Sequence, residues 1–448
     1  MMKQEGMSRR HFLTGAAAVG AAAVAAPALL ASCSGKDKLT PLKKEGEFYV
    51  PELPDKAIEG KELKVGLIGC GGRGSGAIIN LLDAADGIKV VALGDVFEDR
   101  LNDVRNRLIN ERQQEVPQEN CFVGFDAYKK VIDSGVDMVI LTTPPVFRPE
   151  MFKYATEKGV HSFLEKPIAV DAKGYRSVMA TAKQAQAKGL SVVVGTQRHH
   201  ERRYVEANKQ IQAGLIGEIT GGNVYWNQGM LWYRQREAGW TDMEWNIRDW
   251  VNWKWLSGDH IIEQHVHNID VFLWMSGLKP VSATGFGSRQ RRVTGDQYDF
   301  FSTDFTMENG IHMHSMCRQI DGCSSKVSEF IQGSKGSWNS ETNEIKDLEG
   351  NVIWKYDEEK AKQEFQQHDP YTLEHVDWVN HIRKGTAHEE ATDNAISCMA
   401  GIMGREAAYT GQTVTWDEMT QSQQDFLPEK LELGPLDLAS MTVPVPGQ

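Results

Sequence analysis

From residue 61 onward, apolar and polar positions fall into short alternating blocks. Leu63-Lys64-Val65-Gly66-Leu67-Ile68 is brief and mostly apolar, which predicts a buried strand. The same texture returns at Ile88 to Leu93, Val136 to Leu141, Val160 to Leu164 and Leu190 to Val194. Between these runs the apolar positions take helical spacing: Ser75 to Asp83, Glu98 to Glu111, Tyr128 to Asp133, Glu150 to Lys158 and Tyr175 to Lys188. Strand and helix in alternation demand a parallel sheet wrapped on both faces. After Glu218 the pattern changes. Strand-like stretches follow at Ile219 to Tyr225, Val281 to Phe286, Phe300 to Met307, Ile311 to Cys317, Ser324 to Ile331 and Val352 to Tyr356, with few long crossover helices. They predict a large, mostly antiparallel sheet with one face free for substrate or a partner subunit. Helices over Pro370 to Lys384 and Thr392 to Tyr409 close the chain. The reading is an α/β domain over 61–196 and an α+β domain over 197–448, without internal repeats.

The first 60 residues do not fit that scheme. Ser8-Arg9-Arg10-His11-Phe12-Leu13 is a twin-arginine pattern ahead of an uncharged, weakly apolar run, Gly15 to Ala31, that contains Pro27. Such composition suits an export signal better than an anchor helix. Leu30-Ala31-Ser32-Cys33 looks like a bacterial lipoprotein processing site. Residues 1–32 are therefore expected to be a signal, and a lipid on Cys33 the one link to the membrane. Residues 33–60, with Pro41, Pro51 and Pro54, read as a tether on the surface. The expected location is the periplasm or cell envelope. The twin-arginine route resembles the pathway that exports folded, cofactor-loaded proteins, which predicts a tightly held cofactor.

Composition narrows the classes. The chain has 448 residues, 41% hydrophobic and 25% charged, which is ordinary globular usage and room for two to three domains. Lys and Arg total 49 against 61 Asp and Glu, a net charge of −12, which excludes a phosphate-backbone partner such as nucleic acid. Six cysteines are too few for a disulfide framework. Cys70 and Cys121 read as core, whereas Cys317 and Cys323 are close enough in sequence to bridge. No apolar run beyond residue 32 approaches the roughly 20 residues that cross a bilayer.

The chemistry begins where the first strand ends. Gly69-Cys70-Gly71-Gly72-Arg73-Gly74 is a G-x-G-x-x-G loop between a predicted strand and helix. Gly69 permits the tight turn, Gly71 lets backbone approach a pyrophosphate, and Gly74 lets helix pack on strand, with Gly72 and Arg73 beside the phosphates at the helix N-terminus. Asp95 ends the second strand. An acid at that distance binds the ribose hydroxyls of NAD and repels the 2′-phosphate of NADP, so NAD is expected; the competing reading is a helix cap. Thr143, Pro144, Glu165 and Lys166 end later strands at the same edge and complete the candidate cofactor set. The first domain is thus read as a dinucleotide-binding Rossmann domain.

Two features mark the second half. Eight of the 12 tryptophans lie between 226 and 274: Trp226, Trp232, Trp240, Trp245, Trp250, Trp253, Trp255 and Trp274. They are either core or an apolar platform for sugar C–H faces. His199, Trp232, Arg248, Trp253 and His265 form the candidate substrate-binding set. The other feature is Asp259-His260-Ile261-Ile262-Glu263-Gln264-His265-Val266-His267. As one helix it stacks Glu263 on His267 at i, i+4, and a carboxylate behind a histidine fixes its tautomer for acid–base work. A metal set of His260, Glu263 and His267 lacks a fourth ligand, and purely structural histidines are the third reading. No metal is expected.

In this order, the glycine loop, Asp95, Thr143-Pro144, Glu165-Lys166-Pro167, Gly214-Leu215-Ile216-Gly217-Glu218 and Glu263…His267 resemble the Gfo/Idh/MocA oxidoreductases. That family includes glucose–fructose oxidoreductase and inositol dehydrogenases. Gly333-Ser334-Lys335-Gly336 and Gly404-Arg405-Glu406-Ala407-Ala408 extend the likeness, which covers about residues 62 to 420. The resemblance implies hydride transfer between NAD and a sugar or cyclitol carbinol, with Lys166 and His267, backed by Glu263, as the catalytic residues. It further implies a cis Lys166–Pro167 peptide and a homo-oligomer, dimer or tetramer. Departures are Glu263 where relatives often have Asp, Arg148 in the region where a histidine is common, and the Trp-rich insert over 226–256. The expected function is oxidation of a ring hydroxyl of a sugar or glycoside, such as that at the 3-position. The alternative is a redox-neutral, NAD-dependent glycoside hydrolase with an extra base among Tyr225, Tyr233 and His199. A non-catalytic sugar-binding lipoprotein would have no need of Lys166, Glu263 and His267.

Overall fold

The structure, a computed structural model, describes residues 42–43 and 48–447; the export signal, Cys33 and much of the tether lie outside the described residues. Strand and helix alternate as β1 (Leu63–Ile68), α1 (Gly72–Ala84), β2 (Ile88–Asp95), α2 (Glu98–Arg112), β3 (Cys121–Val123), α3 (Ala127–Ile132), β4 (Met138–Leu141), α4 (Arg148–Lys158), β5 (His161–Leu164), α5 (Ala172–Ala187) and β6 (Val192–Val194). All pairings among the six strands are parallel, in the order β3-β2-β1-β4-β5-β6. The direction of winding reverses between β1 and β4, and at such a switch point the carboxyl ends of the strands leave a crevice for a ligand. Gly69 follows β1 directly, and Thr142 and Thr143 follow β4. Leu63, Val65 and Leu67 of β1 are all fully buried, which explains why the strand reads as nearly continuous apolar sequence.

The chain continues through α6 (Arg202–Gln212) to β7 (Ile219–Gln228), then α7 (Asp242–Arg248), α8 (Lys254–Ser257), α9 (His260–Glu263) and α10 (Val266–Ser276). Strands β8 (Pro280–Ser288), β9 (Phe300–Met307), β10 (His312–Gln319), β11 (Lys326–Gly333), β12 (Gly336–Asn339), β13 (Glu344–Asp347) and β14 (Val352–Lys355) follow, with α11 (Glu358–Glu364), α12 (Pro370–Lys384), α13 (Ala391–Thr410), β15 (Val414–Thr415) and α14 (Trp416–Gln421). The nine-stranded sheet runs β14-β13-β12-β11-β7-β10-β9-β8-β15. It is antiparallel except where β7 pairs with β10. β9 alternates buried and half-buried residues along its length, the sign of one covered face. Both closing helices carry broad apolar surfaces. α12 packs on α1 of the nucleotide half, and α13 lies across β8, β9, α5 and α10.

Three local expectations need correction. α1 starts at Gly72, three residues earlier than the spacing predicts, because Gly71 serves as its N-cap without a side-chain cap. Cys317 is buried in β10, Cys323 is exposed beyond it, and both are free thiols. The single helix expected from His260 onward breaks after Glu263. His265 N–H reaches back five residues to the His260 carbonyl at 3.1 Å, a π-type bulge that inserts one residue into the turn. Among the described residues no helix is long and apolar enough to cross a membrane.

Candidate active site

The glycine loop is shaped by contacts that leave no room for side chains. Gly69 sits at φ +94°, and a Cβ there would meet the Thr142–Thr143 peptide at 2.7 Å. A Cβ on Gly74 would lie 1.9 Å from the Gly69 carbonyl oxygen. Gly72, by contrast, faces open space. No acidic side chain occupies the first turn of α1, so its amide dipoles point into a cavity of about 690 Å³. The cavity is lined by Gly69 to Arg73, Asp95 and Thr142 to Pro144, among others. A pyrophosphate at the helix N-terminus and a ribose at Asp95 fit this set of donors and acceptors, and the volume suits a cofactor. Asp95 accepts from Cys70 N–H at 2.6 Å and from Phe97 N–H at 2.8 Å. Burial raises its pKa, and those two amides partly offset the rise.

Arg73 is turned away from a purely phosphate-binding role. Its guanidinium pairs with Glu165, reaches Glu374 of α12 at 3.0 Å, and lies 4.7 Å from the Tyr371 ring centroid. Burial disfavours its charge, but Glu165 and Glu374 more than compensate and raise its pKa. One residue of the glycine loop thereby ties together α1, the end of β5 and α12. Arg148, in the region where a histidine is common, is buried and bridges two loops: it donates to the Thr143 and Pro167 carbonyls, both at 2.5 Å. Burial lowers its pKa to about 10, against the pull of Glu165 and Glu263. The Lys166–Pro167 peptide is cis.

At the end of β5, Lys166 Nζ donates to the Glu263 carbonyl oxygen at 2.6 Å and to its carboxylate at 3.1 Å. Glu263 therefore serves Lys166 rather than His267. No hydrogen bond joins Glu263 to His267 among the described residues. The bulge at His265 is the reason: the extra residue rotates Glu263 off the face it would share with His267 in a regular helix. His267 is held another way. Its ring stacks on Trp226 at 5.7 Å and 20°, and Arg198 lies over the same tryptophan at 5.5 Å. Burial, then the charges of Lys166, Arg198 and Arg73, push the His267 pKa well below its ordinary value. Burial and these neighbouring cations thus favour the uncharged imidazole and make it a weak base at rest. Trp226, Arg198 and Arg148 carry no motif of their own, and the Trp226 ring was one of eight equivalent-looking tryptophans in the sequence.

Most of the candidate substrate set lies elsewhere, although His199 is near enough for its charge to act on His267. His265 is fully buried between Ser315 Oγ at 2.8 Å and Asn268 at 3.3 Å, with its pKa lowered to about 3 by burial. Trp253 packs in the core against Trp245 at 5.1 Å. Arg248 pairs with Asp99 at 2.9 Å and lies 3.9 Å from the Phe97 ring centroid. Trp232 lines the nucleotide cavity with Trp250. His199 bonds to Asp270 at 2.6 Å and stacks on Trp274 at 4.2 Å. Burial opposes protonation of His199, but Asp270 outweighs it and raises the pKa. Of the clustered tryptophans, Trp253 and Trp255 are core, Trp226 stacks on His267, and Trp232 and Trp250 border the nucleotide cavity.

Beside Glu374, whose carboxyl pKa is raised well above normal by burial, α12 carries His375, with both ring nitrogens buried and unpartnered 4.3 Å from the Phe163 ring. Burial and then the charges of Arg73 and His200 depress its pKa. His375→Leu should stabilise the protein by about 1 kcal/mol at pH 7, because an unsatisfied polar group is removed. As pH falls below about 6.5 the unfolded chain takes up the histidine proton first, so the parent loses stability that the variant keeps. The gap should widen by up to about 1.4 kcal/mol per pH unit. Urea midpoints at pH 7.5 and 5.5 measure it; a destabilised variant, or a gap independent of pH, contradicts this assignment.

Comparison with known proteins agrees with the geometry. Residues 63–195 match the oxidoreductase family with an NAD-binding Rossmann fold, and residues 204–339 match the GFO/IDH/MocA C-terminal domain. Residues 6–27 match the twin-arginine translocation signal, which marks the chain for export. The scyllo-inositol 2-dehydrogenase (NAD(+)) of Bacillus subtilis is 25% identical over 239 residues, 53% of this chain and 60% of that protein. The alpha-N-acetylgalactosaminidase of Shewanella oneidensis is 24% identical over 226 residues, 50% of this chain and 47% of that protein. The chain thus spans about half the length of the curated relatives it matches. Among solved structures, scyllo-inositol dehydrogenase from Lactobacillus casei with bound NAD(H) and scyllo-inositol aligns with a TM-score of 0.59 at 19% identity, over 79% of this chain and 99% of that one. Aldose-aldose oxidoreductase from Caulobacter crescentus complexed with glycerol aligns at 0.61 and 15%, over 79% and 99%. These likenesses are of fold.

Proposed function

The chain belongs to the Gfo/Idh/MocA oxidoreductase family, and we propose that it oxidises a ring hydroxyl of a sugar or glycoside, retaining NAD through turnover, as an envelope lipoprotein anchored by Cys33. The observation that carries this reading is the pair at one edge of the parallel sheet: Lys166 held by Glu263, within charge range of the buried His267. Bound NAD supplies the hydride acceptor. The chain's own residues manage the proton and the charge. His267 takes the hydroxyl proton, Lys166 steadies the negative charge that develops on the carbinol oxygen, and Glu263 orients the ammonium. The carbinol carbon gives up its hydride to NAD and becomes a carbonyl, and a second, carbonyl-bearing substrate takes that hydride back before the next turnover. Arg148 and Arg73 fix the loops that carry Thr143, Glu165 and Lys166, so the base and the cation keep their positions.

The test is to purify the protein without its leader, denature it with no cofactor added, and identify the released nucleotide by absorbance and mass. NAD(H) near one per chain, with NADH formed on a panel of sugars and cyclitols, supports the proposal. A protein that carries no nucleotide and binds none at millimolar concentration overturns it.

A second reading is a redox-neutral glycoside hydrolase, favoured by the relatives named as glycosyl hydrolase family 109 protein and alpha-N-acetylgalactosaminidase. His199, whose partner Asp270 lies three residues beyond His267 on α10, is a candidate for its extra proton transfer. Release of nitrophenol from aryl glycosides without net NADH, and with solvent deuterium entering the sugar ring, would select this cycle over simple oxidation.

A further inference from the structure

The nucleotide cavity has a wall that neither the glycine loop nor Asp95 explains. Trp232, Arg234 and Trp250 line it from the insert after β7, and Leu427 and Leu431 line it from the segment after α14. Trp232 is 46% exposed, an unusual position for a large ring with an open cavity beside it. Its edge meets Trp250 at 6.3 Å, and Arg234 lies 6.0 Å from its centroid. Arg100 also lines the cavity. Among the described residues neither Arg100 nor Arg234 has a carboxylate within salt-bridge distance.

The insert is fixed at the Asp95 end of the cleft. Arg248 pairs with Asp99 and covers Phe97, four and two residues past Asp95. Asp249 accepts from Arg234 N–H at 2.7 Å, and Trp245 Nε1 donates to the Arg234 carbonyl at 2.9 Å, so the loop bearing Trp232 and Arg234 is pinned to α7. The tail is pinned to the same helix: Met243 N–H donates to the Gly434 carbonyl at 3.1 Å, and Leu436 N–H to Asp242 at 3.1 Å. Insert and tail are therefore joined through α7. Asp95 marks the adenosine ribose, and the glycine loop marks the pyrophosphate, so the surface beyond Asp95 faces the adenine end.

We propose that residues 229–256 and 425–436 form a cap over the adenosine half of the nucleotide, which converts NAD from a freely exchanging cosubstrate into a retained group. This rests on the NAD reading above. A purine offers flat apolar faces, and aromatic rings and guanidinium groups are the side chains that cover them. Retention matters for an exported oxidoreductase, because a nucleotide lost outside the cytoplasm is not replaced from a soluble pool.

The experiment uses the full mature chain loaded with NADH. Retention after desalting and the release rate, followed by NADH fluorescence during a chase with excess NAD, are compared for the parent, Trp232→Ala, the Trp232→Ala/Trp250→Ala pair and Leu431→Asp. Loss of ring contacts should speed release by about ten- to a hundredfold, since base–aromatic contacts are worth roughly 1–3 kcal/mol each. Leu431→Asp reports on the tail independently of the tryptophans, and an unchanged melting temperature of the nucleotide-free forms confirms folding. Parent and variants that release NADH at the same rate overturn the cap while leaving the oxidoreductase reading intact. A parent that takes up no NADH overturns both.

Discussion

Lys166→Met should lower kcat/KM by about a thousandfold or more while the protein remains folded. Removing one preorganised donor to a developing oxyanion costs on the order of 10²–10³ in rate. Here the loss goes further, because the same ammonium neutralises Glu263. Lys166 Nζ contacts both the Glu263 carbonyl at 2.6 Å and its carboxylate at 3.1 Å. Methionine leaves that carboxylate close to the oxygen on which negative charge must grow. Lys166→Arg should recover little, since a planar fork cannot place one compact charge between the two Glu263 acceptors and the substrate. Glu263→Gln keeps an acceptor and loses the counter-charge, so its effect should be smaller, about tenfold. Pre-steady-state reduction of the bound NAD over a range of substrate concentrations measures all three. A Lys166→Met enzyme within tenfold of the parent would remove Lys166 from the chemistry.

The proposed centre at Lys166 was legible, because the signals were local. The glycine loop, Asp95 and the Glu-Lys-Pro turn each sit at the end of an apolar strand, and alternation of strand and helix brings strand ends to one edge. The antiparallel second sheet was legible too, from period-two stretches such as Phe300 to Met307. What sequence spacing misplaced was Glu263. The i, i+4 argument assumes a regular helix, and one extra residue in the turn at His265 redirects the carboxylate from His267 to Lys166. Nothing in Gln264-His265-Val266 marks such a bulge. It is sustained by tertiary contacts, notably His265 to Ser315 on β10. The arginine braces were hidden for a similar reason: Arg73 meets Glu165 and Glu374 across 92 and 301 residues of sequence. The tryptophans misled in the other direction. Composition shows that eight rings cluster, but only packing decides that Trp253 and Trp255 are core while Trp232 and Trp250 border the nucleotide cavity.

The buried pair behind His267 should be the costliest single point in the second half of the chain. Glu329 of β11 is fully buried and accepts from Arg198 Nη1 at 2.6 Å, Asn268 Nδ2 at 2.6 Å and the Tyr204 hydroxyl at 2.9 Å. Arg198 is itself buried, and its charge depends on Glu329: burial opposes it, and that carboxylate restores it. Glu329→Gln leaves the guanidinium in the interior without a counter-charge, and breaking a buried pair in this way costs about 3–5 kcal/mol. The new amide also puts an NH2 where one carboxylate oxygen accepted, so at least one of the three contacts must rearrange. Two of those donors border the active site: Arg198 covers Trp226, which stacks on His267, and Asn268 follows His267 on α10. The variant should therefore lose stability in urea and, when kept folded at low temperature, lose kcat more than KM as His267 leaves its position. Removing the exposed Lys56–Asp86 pair should leave the urea midpoint in place, since exposed ion pairs contribute little. An equal shift in both variants would mean that Glu329 matters only as one charge among many. A shift confined to Glu329→Gln but with unchanged kcat would separate the stability of the second sheet from the placement of the proposed base.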